Sequence, residues 1–347
     1  MILLIILTIA FVITLISIFP TIKIARRFTL LDDPRKRPHP GRVLKRIVPR
    51  AGGLACFIGI VITIILFIPL EKQIIGLVLG ILILLITGLL DDKYQNFSPY
   101  IRLLTQFIAA IIIVGTGTTI NFITNPLGGI IPLDQTVGNL LTLLWIVWVM
   151  NMINWSKGVD GQMPGIVVIT ALVLGLLSFK LYLDGDPNQL TVTKLAFATA
   201  GSALGFLIMN WYPAKIFPGF SGSTIFGFLI ATLSILSGAK LATALLTLLV
   251  PATDFVYTFF RRILSGKSPV WGDRNHLHHR LLDLGLSHRQ ITLFYILGSA
   301  ILGAIALTLD SKGKLFAAVL VATIILGGIL WLNFFGDLSE RQDPDNG

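Results

Sequence analysis

The chain has 347 residues, of which 54% are hydrophobic and only 13% are charged, and its mean hydropathy is +0.85. This composition excludes an ordinary soluble globular protein and is typical of an integral membrane protein. The formal net charge is +10, but the basic residues lack an aromatic platform, which argues against nucleic-acid binding. The single cysteine, Cys56, excludes an internal disulfide.

Apolar segments long enough to cross a bilayer recur along the chain. The predicted fold is an all-α integral membrane protein, a polytopic bundle of about eleven transmembrane helices. Its membrane domain covers residues 1–336, and a short acidic cytoplasmic tail covers 337–347. The eleven predicted segments are about 1–20, 52–70, 73–90, 100–121, 138–153, 165–183, 194–211, 222–237, 239–257, 291–309 and 315–335.

The orientation follows from the distribution of positive charge. With these spans, 21 of the 27 Lys and Arg residues fall on one side of the membrane. The first basic residues follow segment 1–20 rather than precede it, which indicates a retained span and not a signal peptide. We therefore expect a multi-pass membrane protein with its N-terminus outside and its polar loops and C-terminus in the cytoplasm.

The first polar island is Asp91 and Asp92, which directly follow the apolar run 74–90. Carboxylates are costly beside a membrane, and several polar islands on the same side of it suggest one active site, although the pair alone is weak evidence. Adjacent acids offer the hard oxygen ligands that Mg²⁺ prefers, or one of them accepts a proton. The alternative is a solvated helix end with Lys93 as its partner.

The second island extends from Asn151 to Gly161 and includes Asn154 and Asp160. Glycine and proline at 158, 161, 164 and 165 predict a break in the helix. Irregular backbone near a membrane is tolerated mainly where it lines a cavity, and its free N–H groups suit a phosphate or the sugar of a nucleotide. The alternative is an ordinary connecting loop.

A third island, 211–223, contains Lys215 and two glycines and two serines that open a helix. This pattern resembles an anion-binding turn, and the alternative is a tight turn with interfacial aromatic residues.

The fourth island places three of the five histidines within four residues, His276, His278 and His279, followed by Arg280. In a helix His276 and His279 would share a face. Clustered Arg and His suit a pyrophosphate. A zinc site is the alternative, although its carboxylate ligand would have to come from elsewhere. Asp254 is a candidate structural partner for these basic groups.

The order of these motifs resembles the polyprenyl-phosphate N-acetylhexosamine-1-phosphate transferases, over about residues 30–290. The split motif H-x-H-H is similar to that of the branch that takes UDP-N-acetylglucosamine. The matching pieces are Asp33-Pro34 with Arg37 and His39, Pro49-Arg50 with Gly52-Gly53, Gly88 to Asp92 with Ser98-Pro99, Asn151 with Asn154, Gly158 to Gly161, Asn210 with Pro213 and Lys215, Pro251 with Asp254, and Asp273 with His276, His278 and His279.

The resemblance implies transfer of N-acetylhexosamine 1-phosphate from a UDP-sugar to undecaprenyl phosphate, with release of UMP. Mg²⁺ is the implied cofactor, with Asp92 and Asp160 as its ligands. A second copy of the chain is a further candidate partner. The implied catalytic residues are Asp91, Asp92 and Asp160, and the implied substrate-binding residues are Asn154, Lys157, Lys215, His276, His278, His279 and Arg280.

Two positions depart from the family pattern, which usually has an acid at each. Lys157 replaces the first acid of D-G-x-D-G, and Phe220 replaces the acid of G-D-x-G-S, typically a Mg²⁺ ligand. Lys157 is itself a candidate to neutralise the diphosphate. These departures leave open a catalytically inactive relative that still binds lipid phosphate or nucleotide. A secondary transporter is the remaining alternative, which would predict inverted repeats and charges at the bilayer midplane.

Overall fold

The structure is a computed structural model that describes residues 1–33, 46–94, 97–125, 128–238, 240–268 and 276–341, with side chains as far as Leu332. The motif residues 34–45 and 269–275 therefore lie outside the described residues. The helices are α1 (Ile2–Arg27), α2 (Gly52–Phe67), α3 (Lys72–Lys93), α4 (Pro99–Gly115), α5 (Gln135–Trp155), α6 (Gln162–Leu183), α7 (Gln189–Asn210), α8 (Gly219–Leu236), α9 (Leu241–Thr247), α10 (Leu249–Leu264), α11 (Leu277–Asp283), α12 (His288–Thr308) and α13 (Ser311–Arg341).

Two short antiparallel strand pairs accompany the helices in the described ranges. Strand β1 (Leu31–Asp32) pairs with β2 (Val48–Pro49), and β3 (Phe122–Thr124) pairs with β4 (Ile130–Pro132). Each strand is two or three residues long, so the hydrophobic core is built by helices. The prediction of an all-α membrane fold is confirmed.

The predicted count of about eleven membrane spans is not supported. Ten of the predicted segments each fall on one helix, and segment 239–257 falls on α9 and α10, but only eight described helices are long and apolar enough to cross a membrane. Helices α9 and α10 would form a ninth span together, although the chain bends by 86° between them.

Helices α2 and α4 account for the rest of the difference, because they have 16 and 17 residues. At about 1.5 Å per residue they fall short of the roughly 30 Å of hydrocarbon. Helix α2 ends at Phe67 because Ile68, which precedes Pro69, is extended. Helix α4 ends two residues before Gly117, whose φ of +88° suits glycine. Helix α13 continues to Arg341, past the predicted start of the tail at 337.

Helix α8 lies at the centre of the bundle, with every residue from Gly219 to Ile235 buried. Helix α13 lies at the periphery, and only 6% of its apolar window is buried inside the protein. Large apolar side chains such as Phe316 and Ile324 are exposed there. An apolar outer face of this kind is expected of a helix in contact with lipid.

Helices α1 and α7 pack closely because α7 carries a small-residue face with a G-x-x-x-G spacing. A side-chain carbon added at Gly201 would overlap the carbonyl group of Leu7, and one added at Gly205 would overlap that of Phe11. Between the glycines, Ser202 accepts a hydrogen bond of 2.9 Å from Thr14. The bundle therefore depends on backbone-to-backbone approach at this interface.

We predict that Gly201→Ala separates α1 from α7, because backbone atoms of Leu7 cannot move aside as a flexible side chain can. The free energy of unfolding in detergent should fall by about 1–3 kcal/mol, as in other overpacked contacts. Gly327→Ala in α13 is the control, because a side chain there meets open space. An unchanged unfolding free energy in the Gly201 variant would contradict this packing.

Candidate functional site

The polar islands meet at one end of the helix bundle. The last turn of α3 carries Asp91 and Asp92, whose exposed fractions are 2% and 0%. The first turn of α8 lies against them, since a side-chain carbon at Gly219 would overlap the Asp92 carboxylate. Gly219 has a φ of +69°, which only glycine adopts readily. This close approach explains the glycine in the third island.

The donors that hold Asp92 include groups from two distant parts of the chain. Its carboxylate accepts hydrogen bonds from Arg50 Nε at 3.2 Å, from the backbone N–H of Phe220 at 3.1 Å and from Ser221 Oγ at 3.2 Å. The positive end of the α8 dipole therefore points at a carboxylate of the protein itself. The predicted anion-binding turn does bind an anion, and that anion is Asp92.

Asp91 is paired with two arginines. Arg102, in the first turn of α4, contacts Asp91 Oδ1, and Arg50 Nη2 lies 3.8 Å from Asp91 Oδ2. The side chains of Arg50 and Arg102 are 18% and 34% exposed. Sequence reasoning placed these arginines on the basic face and not in the site. The available signal was the position of Arg50 in the motif before Gly52 and Gly53.

The second island forms the connection between α5 and α6. Its irregular part covers only residues 156–161, and Gly161 closes it with a φ of +80°. The predicted break does not extend to Pro164 and Gly165, which lie in the first turn of α6. Proline is tolerated there because the first N–H groups of a helix have no intrahelical partner.

The two asparagines of this island have different surroundings. Asn151 donates hydrogen bonds of 2.8 Å to Gln106 Oε1 and to the Val147 carbonyl oxygen. The contact with Gln106 holds α5 against α4. Asn154 lies one turn further along, where its Oδ1 accepts hydrogen bonds from Lys157 Nζ at 2.6 Å and from Ser223 Oγ at 2.8 Å. The structure therefore brings Asn154, and not Asn151, to the polar cluster.

Lys157 links the second island to the start of α8. Besides Asn154, its ammonium group donates to the Gly219 carbonyl oxygen at 3.2 Å and to Ser223 Oγ at 3.4 Å. The ring of Phe220 lies beside it, with 5.9 Å between Nζ and the ring centroid. The Arg102 guanidinium lies 5.4 Å from the same centroid, so Phe220 contacts two cations.

The environment of Lys157 disfavours its positive charge. Burial, followed by the nearby charge of Arg50, lowers the pKa of Lys157 from 10.5 to about 7, whereas Asp92 and Asp91 act in the opposite direction. The side chain is half-buried. Near neutral pH this amine is therefore poised between its two protonation states, and an anion beside it would favour the charged one.

Asp160 has a different set of hydrogen-bond partners. Its Oδ2 accepts hydrogen bonds from the Ala214 backbone N–H at 2.9 Å and from Arg46 Nη2 at 3.3 Å. Neither partner belongs to the cluster around Asp91 and Asp92. Asp160 thus holds the turn after α7 against the α5–α6 connection, and the exposed side chain of Lys215 lies next to this turn.

The histidine motif is organised by Asp254. This buried carboxylate accepts a hydrogen bond of 2.8 Å from the Leu277 backbone N–H, and its other oxygen lies 2.9 Å from His276 Nδ1. The predicted structural role of Asp254 beside the basic cluster is confirmed. His276 is extended and precedes α11, so its ring stacks on His278 with centroids 5.5 Å apart. The predicted helical pairing with His279 is replaced by this stack.

The histidines adjoin the second island. A side-chain carbon at Gly158 would overlap the His278 imidazole, and Trp155 meets His276 edge-on with ring centroids 5.1 Å apart. Burial, followed by the proximity of His279 and His276, lowers the pKa of His278 well below its usual value. His278 is therefore a neutral hydrogen-bonding group at neutral pH. Arg280 is half-buried on the same short helix.

The residues present do not fit a Mg²⁺ site at the predicted ligands Asp92 and Asp160. Mg²⁺ requires several oxygen ligands in octahedral geometry. In the described part of the chain, no three His, Cys, Asp or Glu side chains converge to hold a metal ion. The oxygens of Asn154 and Ser223 are already bound by Lys157, and Phe220 supplies no ligand. The same observation leaves the zinc alternative without support in these ranges.

Comparison with known proteins identifies the class of protein. The model of glycosyl transferase family 4 matches residues 74–238. The probable undecaprenyl-phosphate N-acetylglucosaminyl 1-phosphate transferase of Bacillus subtilis (strain 168) is 34% identical, over 97% of this chain and 94% of the relative. The chain belongs to glycosyl transferase family 4.

Two further relatives have the same kind of name. The decaprenyl-phosphate N-acetylglucosaminephosphotransferase of Mycobacterium tuberculosis (strain ATCC 25618 / H37Rv) is 33% identical, over 93% of this chain and 86% of the relative. The undecaprenyl-phosphate alpha-N-acetylglucosaminyl 1-phosphate transferase of Escherichia coli (strain K12) is 27% identical, over 92% and 88%. The predicted family resemblance is thereby confirmed over almost the whole chain.

The lowered pKa of Lys157 predicts an unusual titration. Competitive labelling with acetic anhydride between pH 5 and 11, read by mass spectrometry, should give a midpoint near pH 7, against about 10.4 for an ordinary lysine. Because the unfolded state binds more protons between these values, the contribution of Lys157 to stability should rise with pH across that window. Arg50→Gln removes a nearby positive charge and should raise the midpoint. A wild-type midpoint near 10 would contradict the described environment.

Proposed function

We propose that the protein transfers N-acetylglucosamine 1-phosphate from UDP-N-acetylglucosamine to undecaprenyl phosphate. An oxygen of the lipid phosphate forms a bond to the β-phosphorus of the UDP-sugar. The bond between that phosphorus and the bridging oxygen breaks, and UMP leaves with the bridging oxygen and its electron pair. The products are UMP and a lipid-diphosphate-sugar. This step needs no net proton transfer and places two phosphate-bearing substrates in one site.

The observation that carries the proposal is the convergence of cations and histidines at one end of the bundle. Catalysis of phosphoryl transfer depends mainly on positioning and on neutralising charge. Arg50, Arg102 and Lys157 surround the Asp91–Asp92 pair, and the histidine motif contacts the loop that carries Lys157. The names of the three relatives support transfer of N-acetylglucosamine phosphate to a polyprenyl phosphate, which is undecaprenyl phosphate in two of them and decaprenyl phosphate in the third.

We assign the lipid phosphate to the arginine side of the site. Arg102 is the more exposed of the two arginines that pair with Asp91. An incoming phosphate can therefore approach Arg102 while Asp91 keeps its guanidinium in place. Asp92 is fully buried and serves as a positioning residue for Arg50 and for the first turn of α8.

We assign the nucleotide sugar to the side of the site formed by Lys157 and the histidines. Lys157 neutralises the diphosphate, with Asn154 directing its ammonium group. The neutral His278, with His276, His279 and Arg280, lies beside this position and binds the diphosphate or the sugar. Asp160 and Lys215 form the adjacent wall, where the Asp160 carboxylate fixes the turn that carries Lys215.

The membrane topology is part of the proposal. Positive-inside asymmetry supports a bacterial plasma-membrane location with the active-site loops and the C-terminus in the cytoplasm and the N-terminus outside. If the bent pair α9–α10 and the short helices α2 and α4 also cross a locally thinned bilayer, the chain has eleven spans in one membrane domain, 1–336. A cytoplasmic site would meet both UDP-sugar and lipid headgroup.

The second candidate is a relative that binds these substrates without transfer. The replacement of two family acids by Lys157 and Phe220 is the observation that favours it. Retention of substrate binding by purified protein, with no transfer to undecaprenyl phosphate from any UDP-sugar, would support this candidate instead.

The direct test is transfer of labelled sugar phosphate to undecaprenyl phosphate by purified protein in detergent with MgCl₂. We expect lipid-linked product and equimolar UMP. Asp91→Asn should lower the rate by about 100-fold. The variant loses the negative charge that orients Arg102, and a pre-arranged set of charges is what stabilises the transition state. Asp186→Asn is the matched control, because Asp186 is exposed at the start of α7, at the opposite end of that helix from the site. An Asp91→Asn variant as active as the control would exclude Asp91 from the reaction.

A further inference from the structure

The two positions that depart from the family pattern are neighbours in space. Lys157 and Phe220 are 63 positions apart along the chain, yet the Lys157 ammonium lies 5.9 Å from the Phe220 ring centroid. Loss of an acid at one position and gain of a cation beside it therefore occur in the same small volume. The two departures therefore change the net charge of the same part of the site.

The Lys157 ammonium group is surrounded by oxygen acceptors. It donates to Asn154 Oδ1 at 2.6 Å, to the Gly219 carbonyl oxygen at 3.2 Å and to Ser223 Oγ at 3.4 Å. An ammonium group has three donors, so an incoming diphosphate oxygen would take over the donor of the longest contact, the one to Ser223 Oγ at 3.4 Å. Amide, carbonyl and hydroxyl oxygens of this kind are also the ligands of hard cations. The ammonium group thus lies where a cation would otherwise be bound.

The acceptors are themselves fixed by further hydrogen bonds. The single O–H of Ser223 lies within donating distance of Asn154 Oδ1, at 2.8 Å, and of the Gly219 carbonyl oxygen, at 2.9 Å. Gly219 cannot carry a side chain, because one would overlap Asp92. The set that binds Lys157 is therefore held rigidly against the carboxylate pair, at the junction of the α5–α6 connection and α8.

The surrounding charges leave little attraction for a further cation. Asp91, Asp92 and Asp32, which also acts on Arg50, contribute three negative charges, and Arg50, Arg102 and charged Lys157 contribute three positive ones, so the described charges already balance. Phe220 presents an aromatic face to Arg102 and Lys157, which stabilises these cations without adding a metal ligand. A divalent ion would have to displace Lys157 or to bind beside three positive groups.

We infer that the Lys157 ammonium group is the resident cation of this site and takes the place of a divalent metal ion in neutralising the diphosphate of the nucleotide sugar. The inference rests on the proposed transferase function for its chemical meaning. Its structural part, that a lysine fills the cation position, is independent of turnover. An anionic diphosphate beside Lys157 favours the charged form of the amine, so substrate binding itself secures the charge.

The first experiment measures metal binding by the resting protein, without turnover. Mn²⁺ is titrated into purified wild-type protein in detergent, and free Mn²⁺ is followed by electron paramagnetic resonance. We expect no stoichiometric Mn²⁺ binding. The double variant Lys157→Asp with Phe220→Asp should bind about one Mn²⁺, because it removes the ammonium group and supplies two carboxylates. Stoichiometric Mn²⁺ binding by the wild type would overturn the inference.

The second experiment measures sugar-phosphate transfer in MgCl₂ and in EDTA. The wild-type rates in the two buffers should agree within about twofold. The double acid variant should be at least tenfold slower in EDTA than in MgCl₂. Lys157→Met should lower the wild-type rate by about 100-fold in both buffers, and Lys72→Met, at the opposite end of α3, should not. Loss of wild-type transfer in EDTA would overturn the inference.

The two experiments separate this inference from the proposed function. Absence of transfer in both buffers would count against the transferase, while the Mn²⁺ titration would still decide which cation occupies the site. Transfer that requires Mg²⁺ would support the transferase and overturn the role of Lys157. Lys157→Arg keeps the charge on a longer side chain, and a rate well above that of Lys157→Met would support a role for the charge itself.

Discussion

The arrangement depends on burying two adjacent carboxylates at the end of a membrane helix. Asp91 and Asp92 have almost no exposed surface, and buried charges are retained only with close partners. The chain supplies them from separate places: Arg50 before α2, Arg102 in the first turn of α4, and the N–H of Phe220 at the start of α8. Satisfying the carboxylates therefore brings four helix ends together and, with them, the surfaces that form the site.

The same constraint determines what the site offers a substrate. The carboxylates pair with donors of the protein itself, and these contacts orient Arg50, Arg102 and the first turn of α8. Lys157 lies in the loop that contacts the histidines, and its hydrogen bonds to Asn154 and Ser223 connect that loop to this network. The result is a fixed set of positive and neutral donors, and phosphoryl transfer requires this kind of pre-arranged environment.

Sequence reasoning predicted the polar islands well and their partners poorly. Asp91, Asp92, Asn154, Lys157 and the histidines stand out because polar residues interrupt apolar runs, and they do come together. Arg50 and Arg102 do not stand out among many basic residues on one face, since only tertiary contacts distinguish them.

The lengths of α2 and α4 were overestimated because neither Ile68 nor Gly117 is a polar residue that would mark the end of an apolar segment. The backbone conformation nevertheless ends the helices near these residues. The catalytic role of Asp160 was implied by the family resemblance and stays a prediction, and its hydrogen bond to the Ala214 N–H could not be read from the sequence.

The most direct test of this account is an experimental structure of the protein with UDP-N-acetylglucosamine bound. The account predicts that the diphosphate lies between Lys157 and the histidine motif, within hydrogen-bonding distance of the Lys157 ammonium group, with Asp92 still bound to Arg50 and to the N–H of Phe220. A diphosphate bound away from Lys157, or an Asp92 carboxylate released from these donors to contact the ligand, would contradict it.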